Sequence, residues 1–233
     1  MIIRLSEWRL EPQFYSLDYF EQLCERAVVE FCNEFYGQEL APLPTDVLTQ
    51  LLERHTSVLN LFATLDEGIE GMTTMFGNEC RPQVDIAAEL SRQWFRENRL
   101  RTTLAHELAH VLLHAPLWRA QCLAAGQPGE ARIAQVCRRE MVEDQGPRSD
   151  RIDRVEWQAR YLGGALLMPK RRLDRLVGRF LSTFSTAPVL VAGSAEAEEL
   201  VERVSIGFRV SRDAARVRLS RVGVVRDDPP ASS

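Results

Sequence analysis

The sequence predicts an α+β protein. Most of it is helical, one small antiparallel sheet precedes a central helix, and a helix-turn-helix-like helical region lies near the C-terminal end. Three observations carry this prediction. Apolar residues recur at helical spacing through several long stretches. Between Ser57 and Leu90 the pattern changes to short apolar runs separated by turn residues. Between residues 195 and 224, two helical patterns flank a tight turn.

Composition sets the outer bounds. The 233 residues allow one large domain or a domain with an appendage, and a 45% hydrophobic content supplies a sizeable core. The formal net charge of -4 gives no overall attraction for nucleic acid, and Lys170 is the only lysine among many arginines. Cys24, Cys32, Cys80, Cys122 and Cys137 are odd in number and scattered, without a C-x-x-C pair, so neither a disulfide framework nor a zinc ribbon is indicated. The first residues lack a signal-peptide pattern, and no run approaches the roughly 20 apolar residues of a membrane span. A soluble, cytoplasmic protein with free thiols and no membrane partner is expected.

Taken in order, residues 16–36 carry Tyr19, Phe20, Leu23, Ala27, Val28, Phe31 and Phe35 as a helical stripe that Gly37 ends. Cys24 and Cys32 fall on or beside it and read as buried, inert thiols. Thr45 is the expected cap of a second helix bearing Val47, Leu48, Leu51 and Leu52, with His55 at its end. Val58–Leu65, Gly71–Phe76 and Val84–Ala87 read as strands, with Gly77, Asn78 and Pro82 as turn residues. An edge strand of that sheet can pair with an extended peptide.

The central helix holds the chemistry. Arg101–His114 contains His106-Glu107-x-x-His110 above an apolar stripe of Leu104, Leu108, Val111 and Leu112. Histidines four apart share one helix face, about 6 Å apart along the axis, so both imidazoles reach one zinc ion. Glu107 then points at the metal-bound water as its general base. Zinc also partners polar groups that an apolar helix would otherwise strand. His114 lies about 12 Å from His106 along the axis, too far for a shared metal, and reads as structural support.

Beyond Pro116 the chain has mixed character to about Arg151, with loops around Gly126–Gly129 and Asp144–Asp150 and a short helix or strand at Ile133–Met141. Cys137 there precedes Arg138 and Arg139 and reads as a packed thiol. A buried helix is expected from about Asp153, its cap, to Met168. Gly163-Gly164 weakens it by roughly 1 kcal/mol per glycine, an expense that close approach to another backbone would explain. A catalytic zinc needs a third protein ligand. Glu156, at the start of this helix, is the best-placed candidate, and Asp153, Asp150 and Glu143 are alternatives.

Two stretches in this order resemble the ImmA/IrrE zinc metallopeptidases: Thr103–His114, and Glu156–Pro169 as E-x-x-A-x-x-[FL]-A-x-x-L-L-M-P. Gly163 stands where that family usually has alanine. The resemblance covers roughly residues 40–170. It implies a gluzincin-like fold, Zn2+ as cofactor, His106, His110 and Glu156 as its ligands and Glu107 as catalytic base. It also implies a substrate class: helix-turn-helix repressors that silence mobile elements or stress genes. Arg160, Tyr161 and His55 are candidate donors to the oxyanion.

A further helix is expected from Lys170 to Phe184, then a break at Thr186–Ser194. Domains of 1–185 (metallopeptidase) and 195–224 (helix-turn-helix-like) follow, with a disordered tail at 225–233. Ser211 caps the second helix of the pair, which carries Arg212, Arg216, Arg218 and Arg221. Those arginines either contact DNA or belong to a scaffold packed on the peptidase. The glycine-free turn and the acidic residues before it favour weak DNA binding or none. The alternative to an enzyme is therefore a DNA- or protein-binding regulator with a non-catalytic zinc site, closed by a fourth protein ligand such as Cys137.

Overall fold

The computed structural model describes residues 10–40, 42–125, 131–138, 151–184 and 189–227, without the side chains of 151–153 and 184. The expected loops at 126–129 and 144–150, the end of the element at Met141, the alternative ligands Glu143 and Asp150, the side chain of Asp153 and tail residues 228–233 lie outside the described residues.

α1 (Leu17–Tyr36) begins where Tyr19 N–H donates to Ser16 Oγ, and it ends at Gly37 with φ 66°. That left-handed conformation suits glycine because no Cβ meets the backbone. α2 spans Thr45–His55. Thr45 is its first helical residue rather than its cap: Pro44 occupies the cap position, and the Thr45 hydroxyl donates to Glu97 Oε1 at 2.7 Å instead.

β1 (Val58–Ala63), β2 (Ile69–Phe76), β3 (Gln83–Ala87) and β4 (Arg132–Arg138) form one sheet in the order β1-β3-β2-β4. β2 is antiparallel to both neighbours, but β1 runs parallel to β3, so the sheet is mixed and not wholly antiparallel as expected. β3 slots between β1 and β2, and two chain reversals bring it back in the direction of β1. The element around Ile133 is thus a strand, at the sheet edge opposite β1.

α3 (Ala88–Arg92) and a 3-10 turn at Trp94–Arg96 lead into α4 (Glu97–Leu113), followed directly by α5 (Ala115–Ala124). The sequence pattern marked no helix after Pro116. In the first turn, however, the missing N–H of proline costs nothing, and the helix starts there. α6 (Arg151–Leu167) already includes Asp153, the expected cap, as a helical residue. α7 (Lys170–Phe184), α8 (Ala195–Phe208) and α9 (Arg212–Arg221) follow. Val225 and Arg226, expected in the tail, form β6 (Val225–Arg226), which pairs in parallel with β5 (Leu190–Val191).

α4 and α6 cross at the centre with Leu104, Leu108, Leu162 and Leu166 fully buried. A Cβ on Gly163 would stand 3.3 Å from the carbonyl carbon and oxygen of Ala105, so this glycine permits the close backbone approach expected of it. The same core takes in Phe20 of α1, Leu48 of α2, Leu200 of α8 and Leu219 of α9. A smaller cluster of Met75, Trp118, Cys122, Ile133 and Val155 fills the space under β2 and β4.

Two buried arginines tie the C-terminal helices to this body. Arg101 of α4 donates to the carbonyls of Leu43, Phe208 and Arg209, which clamps the α8–α9 corner onto the central helix. Arg209 holds φ 54° at that corner without being glycine, and its guanidinium pairs with Glu97. Arg218 of α9 meets both oxygens of Glu21 at 2.7 Å and also donates to the Met168 carbonyl. No helix among the described residues is long and apolar enough to cross a membrane.

Candidate active site

α4 and α6 bring His106, His110 and Glu156 together. His106 Nε2 and His110 Nε2 are 3.0 Å apart, and each lies 3.3 Å from an oxygen of Glu156. Ligand atoms arranged tetrahedrally at zinc distances stand about 3.3 Å from one another. His106 Nε2 lies against Glu156 Oε2 and His110 Nε2 against Oε1, so the two rings and the carboxylate stand close to the spacing of one metal's coordination shell. Two ring nitrogens facing each other at 3.0 Å also need a cation or a proton between them. Glu156 Oε2 is buried with no hydrogen-bond partner, which is the state of an atom built to bind something else. The residues fit a metal, and all three expected ligands belong to the set.

Proton positions follow from the surroundings of His110. Gln158 Nε2 donates to the Gln13 carbonyl at 2.8 Å, which turns Gln158 Oε1 toward His114 Nε2, 3.0 Å away. That oxygen only accepts, so His114 carries its proton on Nε2 and leaves Nδ1 as an acceptor. His110 Nδ1, 3.0 Å from His114 Nδ1, must be the donor, and His110 Nε2 keeps its lone pair for the metal. Burial holds the His114 pKa down to about 3, so the ring stays neutral. Trp118 stacks on it with centroids 5.7 Å apart. His114 thus joins His110 to Gln158 through hydrogen bonds on both of its ring nitrogens.

The two carboxylates are driven in opposite directions. Burial pushes the Glu107 carboxyl up to about 7, against the pull of His106 and of the Thr73 hydrogen bond. Burial would also raise Glu156, but His110 and His106 hold it well below the usual carboxylate range. One carboxylate stays ionised while the other is poised to take and release a proton near neutrality.

Glu107 is held by β2. Thr73 Oγ1 donates to Glu107 Oε2 at 2.5 Å, and Glu107 Oε1 is buried without a hydrogen-bond partner. A Cβ on Gly71, two residues earlier on the same strand face, would fall 2.5 Å from Oε1. Gln135 of β4 donates to Glu156 Oε1 at 2.7 Å. Thr73, Gly71, Gln135 and Gln158 went unmarked in the sequence analysis, since each matters only through strand register or a contact between distant elements. The local trace is a glycine and a threonine two apart, on one face of β2.

Other candidates sort clearly. Cys137 comes within 4.8 Å of His106 and Glu107 but does not join the His106–His110–Glu156 set, so it is not a fourth ligand there. Tyr161 points away from the site and donates to Glu21 at 2.8 Å, while His55 ends α2 without contributing to the metal cluster. Arg160 remains beside the metal residues and lines the adjoining cleft, whose volume is about 490 Å³. The C-terminal arginines proposed for DNA are otherwise engaged. Arg218 is buried against Glu21, and Arg212 and Arg216 pair with Glu198, Glu202 and Asp213.

None of the curated proteins compared with the chain matches it. A family model described as the IrrE N-terminal-like domain, of the M78 peptidases, matches residues 90–220. That span exceeds half of the chain and includes α4, α6 and α9, which frame the site and its cleft. The chain therefore belongs to the IrrE N-terminal-like peptidase family.

Proposed function

We propose that the protein is a zinc-dependent endopeptidase that cleaves a helix-turn-helix repressor of a mobile element or stress regulon. The observation that carries the catalytic part is Glu107 Oε1: a buried carboxylate oxygen without a hydrogen-bond partner, beside a two-histidine, one-glutamate metal set. That donor set suits zinc and leaves a position open to substrate. Zinc held by His106, His110 and Glu156 would supply Lewis acidity and make water a nucleophile near neutral pH. Glu107 accepts the proton at Oε1 and delivers it to the leaving amine, while Thr73 keeps Oε2 fixed. Arg160 on the cleft wall is positioned to meet charge developing on the carbonyl oxygen. The repressor substrate rests on family kinship.

The test is co-expression with the helix-turn-helix repressor encoded nearest the gene, read by intact mass. Cleavage by wild type and none by Glu107→Gln, with zinc bound to both, is the expected result. An intact repressor in both cases would overturn the substrate assignment, and equal cleavage in both would overturn the mechanism.

A further inference from the structure

Two sets of donor atoms overlap at His106. One is the set with His110 and Glu156. The other joins His106 to Glu107 and Cys137, with one donor atom from each, all within 4.8 Å of one another. All three members of this second set are buried. Glu107 Oε1 has no hydrogen-bond partner there, because Thr73 holds only the other oxygen. A buried carboxylate oxygen left unpaired is costly, and a cation beside it removes the cost.

Strand register builds this second set. Gly71 of β2 lies directly opposite Cys137 of β4, as Thr73 lies opposite Gln135. Such paired positions share one sheet face, with Cβ positions about 4.5–5.5 Å apart. Thr73 and Gln135 reach Glu107 and Glu156, so the shared face is the one turned to α4 and α6. Gly71 leaves its place on that face empty, and Glu107 Oε1 lies 2.5 Å from where its Cβ would stand. The free carboxylate oxygen and the thiol are thereby neighbours across the ladder. Cys137 and His106 both line the cleft, which gives an ion a way in from solvent.

An imidazole nitrogen, a carboxylate oxygen and a thiolate sulfur together favour borderline and soft cations over magnesium or calcium. We propose that Cys137 and Glu107, with His106 as the shared residue, form an inhibitory site for a thiophilic divalent cation. A metal–sulfur bond forms as the ion enters, and the thiol proton leaves to solvent. The ion also takes the free lone pair of Glu107, so that Glu107 is a ligand and no longer a base. The inhibition rests on the reading of the site as a peptidase, whereas the binding stands on the residues alone.

The test is a cadmium titration of the full-length, zinc-loaded protein in a Cys80→Ser background, since Cys80 is exposed. The cadmium–thiolate bond is read from its near-ultraviolet charge-transfer absorbance, and bound metal is counted after equilibrium dialysis. A saturable band is expected in the parent and in Cys122→Ser, whose thiol faces the Met75 carbonyl instead, and none in Cys137→Ser. Glu107→Gln should weaken cadmium binding by about tenfold or more. Excess zinc is the second arm. A second zinc whose uptake needs Cys137 makes zinc itself an occupant, and uptake of cadmium alone assigns the site to the softer ion.

Absence of the band overturns the proposal, as does a band that Cys137→Ser retains or that Glu107→Gln leaves equally tight. Should Cys137→Ser not fold, Cys137→Ala and the Glu107→Gln titration still decide. Cleavage is measured separately, each protein against its own cadmium-free rate. Inhibition in the parent and not in Cys137→Ser is expected. A Cys137-dependent band with undiminished cleavage would overturn the inhibitory role. The same band in a protein that cleaves nothing would leave the ion site standing and sink the peptidase reading.

Discussion

His110 and His114 meet through their Nδ1 atoms at 3.0 Å, and only one of the two rings can carry the proton between them. The chain from the Gln13 carbonyl through Gln158 and His114 assigns that proton to His110, so a backbone oxygen at the start of the protein settles which lone pair faces the metal. Replacing Gln158 by Leu removes the acceptor that orients His114. Metal affinity should fall by about 10- to 100-fold, measured by chelator competition, while the fold is retained. Unchanged affinity would show that His110 is oriented by other means.

Gly71 and Glu107 make a second dependence. Since a Cβ on Gly71 would collide with Glu107 Oε1 at 2.5 Å and with the Thr103 methyl at 2.9 Å, Gly71→Ala must displace the base or the helix. We expect a loss of roughly 100-fold in kcat/KM with metal content unchanged, as for other small displacements of a reacting group. Thr73→Val, which keeps shape and removes the donor to Oε2, should lower kcat/KM in the same direction without loss of metal. Normal activity in both variants would show that β2 does not position the base.

The Glu21–Arg218 pair is nearly inaccessible and is supported by Tyr161 and the Met168 carbonyl. Removing one buried partner leaves an uncompensated charge, at a cost of about 3–5 kcal/mol. Glu21→Leu should therefore lower the denaturant midpoint sharply, and Arg218→Met in the same chain should restore much of the loss. If Glu21→Leu alone proved neutral in equilibrium unfolding, the pair would not anchor α9.

Tyr161 gives the fold an alkaline limit. Burial, aided by the hydrogen bond to Glu21, pushes its phenol up to about 12 from the ordinary tyrosine value of about 10. Between those values the unfolded chain loses a proton that the folded chain keeps, so stability is full below pH 10 and is lost as pH rises toward 12. The slope from this one group is at most about 1.4 kcal/mol per pH unit. Tyr161→Phe should flatten urea-derived stability across that window; an identical profile would exclude Tyr161 as its source.

What could be read from the sequence was local. His106, Glu107 and His110 share one helical turn and one face, and Gly163 announced a close contact because glycine in a buried helix is otherwise costly. β1, by contrast, lies beside β3 and not β2, an order that no turn residue records. For Arg218 the sequence leaves DNA contact and a packed scaffold as alternatives, because its partner Glu21 lies 197 positions away. Gln158 is one more polar residue on a helix until the fold sets it across from His114. The two histidines and Glu107 are thus visible in local spacing, while the groups that touch them from other elements belong to tertiary structure.

The bond between Glu21 and Arg218 also bears on how this chain can evolve. It joins α1 to α9 across 197 positions of the chain, and both helices share one core. A recombination event that exchanged only the C-terminal helix pair, as a cassette, would deliver an arginine without its glutamate or the converse. It would also replace the wall facing the metal. The wall of the cleft and the integrity of the fold are therefore inherited together here, and point changes on the cleft face of α9 leave the fold better intact than swapping the helix.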